Sequence, residues 1–157
     1  MSFIAVRDHL LHMGVPARDP VSANDIARLE ARHHVQIPGD LKEAFLQMDG
    51  ADHSTEPGGS WIRFWPLGEW LPAVGSSWGA VNLDPTQANA TPLPAGSFVL
   101  ADYGYGCVAY AAVLDVRSSF YGRVFALGAT AAVEVAGSFN EFIGLVLHDD
   151  ARLHSYY

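Results

Sequence analysis

A chain of 157 residues, half of them hydrophobic and 11% aromatic, suits one sizeable core and is too apolar for wholesale disorder. Its 17 acids against 9 Lys and Arg give a formal charge of −8, which repels phosphate backbones and anionic lipid, so neither nucleic acid nor a membrane is the expected partner. Cys107 is the only cysteine, which excludes an intramolecular disulfide. The opening MSFIAVRDHLLHMG interrupts its apolar run with Arg7, Asp8 and His9, unlike a signal peptide, and the longest unbroken apolar stretch, Cys107 to Leu114, is far shorter than a membrane span. The expectation is a single cytoplasmic domain over residues 1–157.

Helical spacing comes first along the chain. Phe3, Val6, Leu10 and Met13 share a stripe that Gly14-Val15-Pro16 ends. A second helix opens at Ser22 as N-cap, with Asp25 three residues on as a short capping box, a Val21–Ile26 staple, and Ile26, Leu29 and His33 inward. A third begins near Pro38, carries Asp40 in its first turn, aligns Leu41, Ala44, Phe45 and Met48, and stops at Asp49-Gly50.

The pattern then changes to strands. Trp61 to Trp65, Ser97 to Ala101, Cys107 to Leu114, Arg123 to Leu127 and Ala131 to Val135 are short and follow one another through tight turns. Cys107 to Leu114 is apolar on both faces, as a covered central strand would be. Gly128-Ala-Thr130 reads as a hairpin turn, and beyond it Val133 and Val135 alternate with Glu134. The stretch from Pro72 to Gly96 carries no clean period. A last helix starts at the full capping box Ser138-Phe-Asn-Glu141 and stacks Phe139, Phe142, Ile143, Val146 and Leu147. The fold class is therefore α+β: an antiparallel sheet of about five strands with helices at both ends of the sequence.

Recognisable chemistry is sparse. His9 and His12 lie one helical turn apart without a third ligand, His33 and His34 suit a helix C-terminus, and the tail from His148 to His154 has no familiar metal spacing. Cys107 begins the most apolar strand and reads as a small buried hydrophobe. Gly104-Tyr-Gly106 lacks the rest of a dinucleotide fingerprint, and no G-x-S-x-G, H-E-x-x-H or phosphate loop occurs. No catalytic, metal or cofactor site is expected. A metal-assisted hydrolase using the histidines and acids is the alternative from another class.

Charge and aromatics concentrate together. From Glu43 to Asp115 there are eight acids against the single base Arg63. Trp61, Phe64, Trp65, Trp70 and Trp78 fall within eighteen residues of one another. With Ile62 and Phe64 inward, alternation turns Trp61, Arg63 and Trp65 to the other face. The acids read either as a solvated surface or as a face matched to a basic partner. The second reading assigns partner binding to Asp49, Asp52, Glu56, Trp61, Trp65, Asp102, Tyr103 and Tyr105.

Two blocks of this sequence resemble a known family. The first is DIARLEARHHVQIPGDLKEAFLQMDGA, Asp25 to Ala51, and the second joins FVLADYGYGCVAYAAVLD, GRVFALG and VAGSFNEFIGLVLHDDARLH. Together they resemble the SUKH superfamily of Knr/Smi-type cell-wall-regulator-like proteins, with Glu30, Ile37, Pro38, Asp40, Lys42, Gly50, Phe139 and Phe142 matching its pattern. His34 stands where a glycine is usual, Leu41 where tyrosine is usual, and Asp49 where asparagine is usual. The resemblance implies a non-catalytic binding module. For bacterial members it implies an immunity protein that neutralises a cognate toxin, often a nuclease and so basic. For eukaryotic relatives it implies a regulatory scaffold.

Overall fold

The computed structural model describes residues 3–52, 62–74, 93–104, 106–127 and 132–154. In chain order they form α1 (Phe3–His12), α2 (Ala23–His33), α3 (Gly39–Phe45), β1 (Ile62–Phe64), a 3-10 turn (Leu67–Glu69), β2 (Leu71–Pro72), β3 (Ser97–Tyr103), β4 (Val108–Val113), β5 (Val124–Leu127), β6 (Ala132–Ala136), α4 (Phe139–Leu147) and a second 3-10 turn (Ala151–Leu153).

The sheet is an antiparallel meander in the order β1-β3-β4-β5-β6, and β2 pairs with β3 on the edge that β1 also uses. β1 and β2 are thus two halves of one broken edge strand. Between them the chain leaves the sheet for the 3-10 turn, and β3 absorbs the irregularity by a register shift at Leu100. This excursion carries no signal in the sequence, because two residues of strand and one helical turn are too short to show a period.

Registers assign the two faces of the sheet. Phe64, Ala101, Tyr110 and Ala126 lie side by side across four strands. The Phe142 ring of α4 lies 5.0 Å from Tyr110 and 6.3 Å from Phe64, so this is the helix-covered face. Tyr110 also donates its hydroxyl to Leu153 O at 2.8 Å, tying the C-terminal turn to the central strand. The neighbouring row, Arg63, Asp102, Ala109 and Leu127, belongs to the opposite face. β4 is buried on both, as its apolar run implied.

Three expectations are corrected. Cys107 is exposed: it sits in the turn after β3, its N–H bonding back to Tyr103 O, and β4 begins only at Val108. In β6, Val135 is buried but Val133 is exposed, because a register shift opposite Val124 and Phe125 breaks the alternation. The third concerns Trp65 and Asp102, which are buried. The expected Gly128–Thr130 turn lies outside the described residues, although β5 and β6 pair antiparallel as a hairpin requires.

Candidate functional site

The matched helix–loop–helix block is held by its own polar residues. The Ser22 hydroxyl accepts the Asp25 N–H at 3.2 Å and the Asp25 carboxylate accepts the Ser22 N–H at 3.0 Å, the capping box expected of α2. The Ser22 bonds hold the Asp25 carboxyl below its ordinary range. α2 ends on His34, whose φ of 53° is the left-handed conformation that explains why glycine would suit this position. Glu30 then accepts the Ile37 N–H at 2.7 Å and the Lys42 ammonium at 2.8 Å, locking the loop between α2 and α3. Asp40 accepts the Asn140 N–H at 3.0 Å and so joins the starts of α3 and α4. These motif residues build the scaffold.

Gly50 decides where the chain goes next. Its φ is +76°, and a Cβ there would lie 2.5 Å from Phe64 O and 2.8 Å from Pro66 N. Only glycine lets the backbone approach this closely. Ala51 consequently pairs with Phe64 on one side and Ala17 on the other, extending the sheet edge by single bridges. Asp49 accepts the Leu67 N–H at 2.7 Å, which fixes the 3-10 turn over the end of α3. The Trp70 ring meets Phe45 edge-on at 4.8 Å, and its indole N–H donates to Trp65 O at 3.0 Å.

A cleft of about 700 Å³ opens between α2 and this 67–72 segment. Val21, Leu29, Leu67 and Trp70 give it apolar walls; Arg28, Arg32 and His33 line it from α2, and Asp49 from the opposite side. Leu71 stands on the lip with 44% of its surface exposed. Burial raises the Asp49 carboxyl above its ordinary range, with the Leu67 N–H opposing. His33 is pushed below its ordinary value by burial and then by the Arg32 charge, and its ring stands edge-on to Phe98 at 5.0 Å. Beside the cleft runs a strip of ion pairs: Arg18 to Asp52 at 3.2 Å, Arg63 to Asp52 at 3.3 Å, and Arg63 to Glu69 at 2.7 Å.

The residues that the sequence singles out divide four ways. Asp49 and Asp52 lie at this corner, half-buried and exposed respectively. Trp65 is on the face that alternation assigned, but that face is covered too: Trp65 is 8% exposed, Asp102 is 4% exposed, and the Trp65 indole N–H donates to the Asp102 carboxylate. Neither is a surface anchor. Tyr103 is half-buried against the His154 ring at 4.8 Å, away from the cleft lining. Glu56, Trp61 and Tyr105 lie outside the described residues. Arg32, Leu71 and Trp70 were not singled out as a group, since only the packing of the 67–72 segment on α2 brings them together. Among the described residues no three of His, Cys, Asp and Glu are grouped to hold a metal ion. Among them, too, no helix is long and apolar enough to cross a membrane.

A consecutive antiparallel meander, backed by helices from both ends of the chain and carrying an open cleft at its broken edge, defines an α+β protein of the kind the two motif blocks implied. Residues 20–144 match the family model described as SMI1 / KNR4 family (SUKH-1), and the chain belongs to that family. No curated protein matches it.

Proposed function

We propose that this is a non-catalytic binding protein, an immunity protein that neutralises a cognate bacterial toxin by covering the surface the toxin works with. Family membership across residues 20–144 carries the reading. The state of the charged groups supports it. Asp25 caps a helix, Asp49 holds Leu67, and Asp52 and Glu69 bind arginines, so each has a structural partner in place of a substrate.

The partner surface in this reading is the corner around β1, where the Asp52–Arg63–Glu69 strip borders the cleft. A nuclease toxin presents basic residues to a phosphate backbone, and acids on this rim would steer its approach. Exposed ion pairs contribute about 0–1 kcal/mol each. Affinity therefore rests on apolar contact at the lip and walls of the cleft, with Leu71 foremost. Leu71→Ala should speed dissociation of the complex and cost about 1–2 kcal/mol of binding without unfolding the chain.

The decisive experiment is co-expression with a toxin domain sought among the genes neighbouring this one. Restored growth together with a stoichiometric complex on size exclusion is expected. Growth arrest with no complex formed would sink the proposal.

A further inference from the structure

Helix α1 lies outside the residues that the family model matches and has two faces. Val6 and Leu10 are fully buried where α1 packs on α3 and α4. The other face repeats at i, i+3, i+4 and i+7: Ile4, Arg7, Asp8 and Leu11, all exposed. Ile4 is 52% and Leu11 48% exposed, unusual for two large aliphatic side chains aligned one above the other. At 100° per residue they occupy the middle of the stripe, with Arg7 on one flank and Asp8 on the other.

That arrangement is complementary to itself. We infer that α1 is the contact between two copies of this chain, paired side by side and parallel about a two-fold axis that runs along the helices. Such an axis brings Ile4 onto Ile4 and Leu11 onto Leu11, and swaps the flanks, so that Arg7 of each copy faces Asp8 of the other. An antiparallel pairing would instead set Arg7 against Arg7 and Asp8 against Asp8, as like flanks do in antiparallel coiled coils. Charge thus selects both the occupant and its direction. Ten residues of helix are about 15 Å long. A contact of that length buries several hundred Å² at most, so the dimer should be weak and concentration-dependent.

Sedimentation velocity of the whole chain over about 5–500 µM tests this. A monomer–dimer equilibrium is expected. Leu11→Ser removes the apolar centre, and Arg7→Asp places acids together on both flanks; each should weaken association at least about tenfold. The double variant Arg7→Asp/Asp8→Arg restores opposite charges on both flanks and should recover the dimer that Arg7→Asp loses. Circular dichroism of each variant confirms that α1 remains folded. A chain monomeric at every concentration overturns the proposal. So does a dimer indifferent to these substitutions, or a double variant no stronger than Arg7→Asp alone.

Discussion

At the scale of single residues, a carboxylate and an amide can fill the same place for the same physical reason. Asp49 is needed as an acceptor for the Leu67 N–H, and asparagine offers the same oxygen without a charge to desolvate. Because burial raises the Asp49 pKa, the folded chain binds that proton more tightly than the unfolded chain does. Its contribution to stability is therefore present at low pH and is lost as pH rises from the ordinary carboxylate value of 3.8 through the raised one. Asp49→Asn should stabilise at pH 7 by on the order of a few tenths of a kcal/mol, since water still screens this half-buried charge, and should flatten that pH dependence. Asp49→Ala strands the Leu67 N–H and should cost about 1–3 kcal/mol. Denaturant midpoints from pH 3 to 8 read both. Trp65 carries a second residue-scale prediction. Trp65→Phe keeps most of the ring but removes the N–H that Asp102 accepts in the interior, and should cost about 1–3 kcal/mol by the same measurement. A loss near zero would mean that the buried Trp65–Asp102 bond adds nothing net.

At the scale of elements, α4 organises the helix-covered face. Phe142 is fully buried and its ring meets Tyr110 from β4, Phe64 from β1 and Phe139 from its own helix. Phe142→Ala leaves a cavity under two strands at once and should cost about 3–5 kcal/mol, measured by urea unfolding. A cost below about 1 kcal/mol would place α4 at the periphery. The Ser138 cap, which accepts the Glu141 N–H at 3.1 Å, sets where that helix starts and so where Phe142 lands.

For the whole molecule, the count of acids overstates the field. Of the eight acids between Glu43 and Asp115, Asp52 is paired with arginines, as is Asp115 with Arg117, and Glu69 binds Arg63. Asp102 is buried and Asp49 half-buried. Steering of a basic partner should therefore be modest. Asp52→Asn with Glu69→Gln is expected to slow association by only a few-fold at low salt, with the difference vanishing as ionic strength approaches 1 M. Stopped-flow association with the toxin partner proposed above, at several salt concentrations, checks it. A change confined to the dissociation rate would show these acids to be contact residues.

The sequence by itself determined the parts of this protein whose physics is local. The capping box at Ser22, the N-cap at Ser138, the stripe of α4, the apolar run of β4 and the glycine at position 50 each declare an element or its end within a few residues, although Glu141 completes no box with Ser138 and instead accepts the Gly137 N–H at 2.8 Å. The family was legible largely for the same reason: of its motif residues, Glu30 and Lys42 make contacts within one helix–loop–helix that restrict the residue types allowed, whereas Asp40 reaches the distant Asn140 N–H at the start of α4. Alternation even assigned Trp65 to the correct face. What alternation cannot supply is whether a face is wet, because that depends on segments distant in sequence. Tertiary structure alone buried Trp65 against Asp102, thirty-seven positions away, and exposed Cys107 by starting β4 one residue late. It alone laid the 67–72 segment along α2 to open the cleft, since burial and clefts are properties of what packs together and not of what is adjacent in the chain.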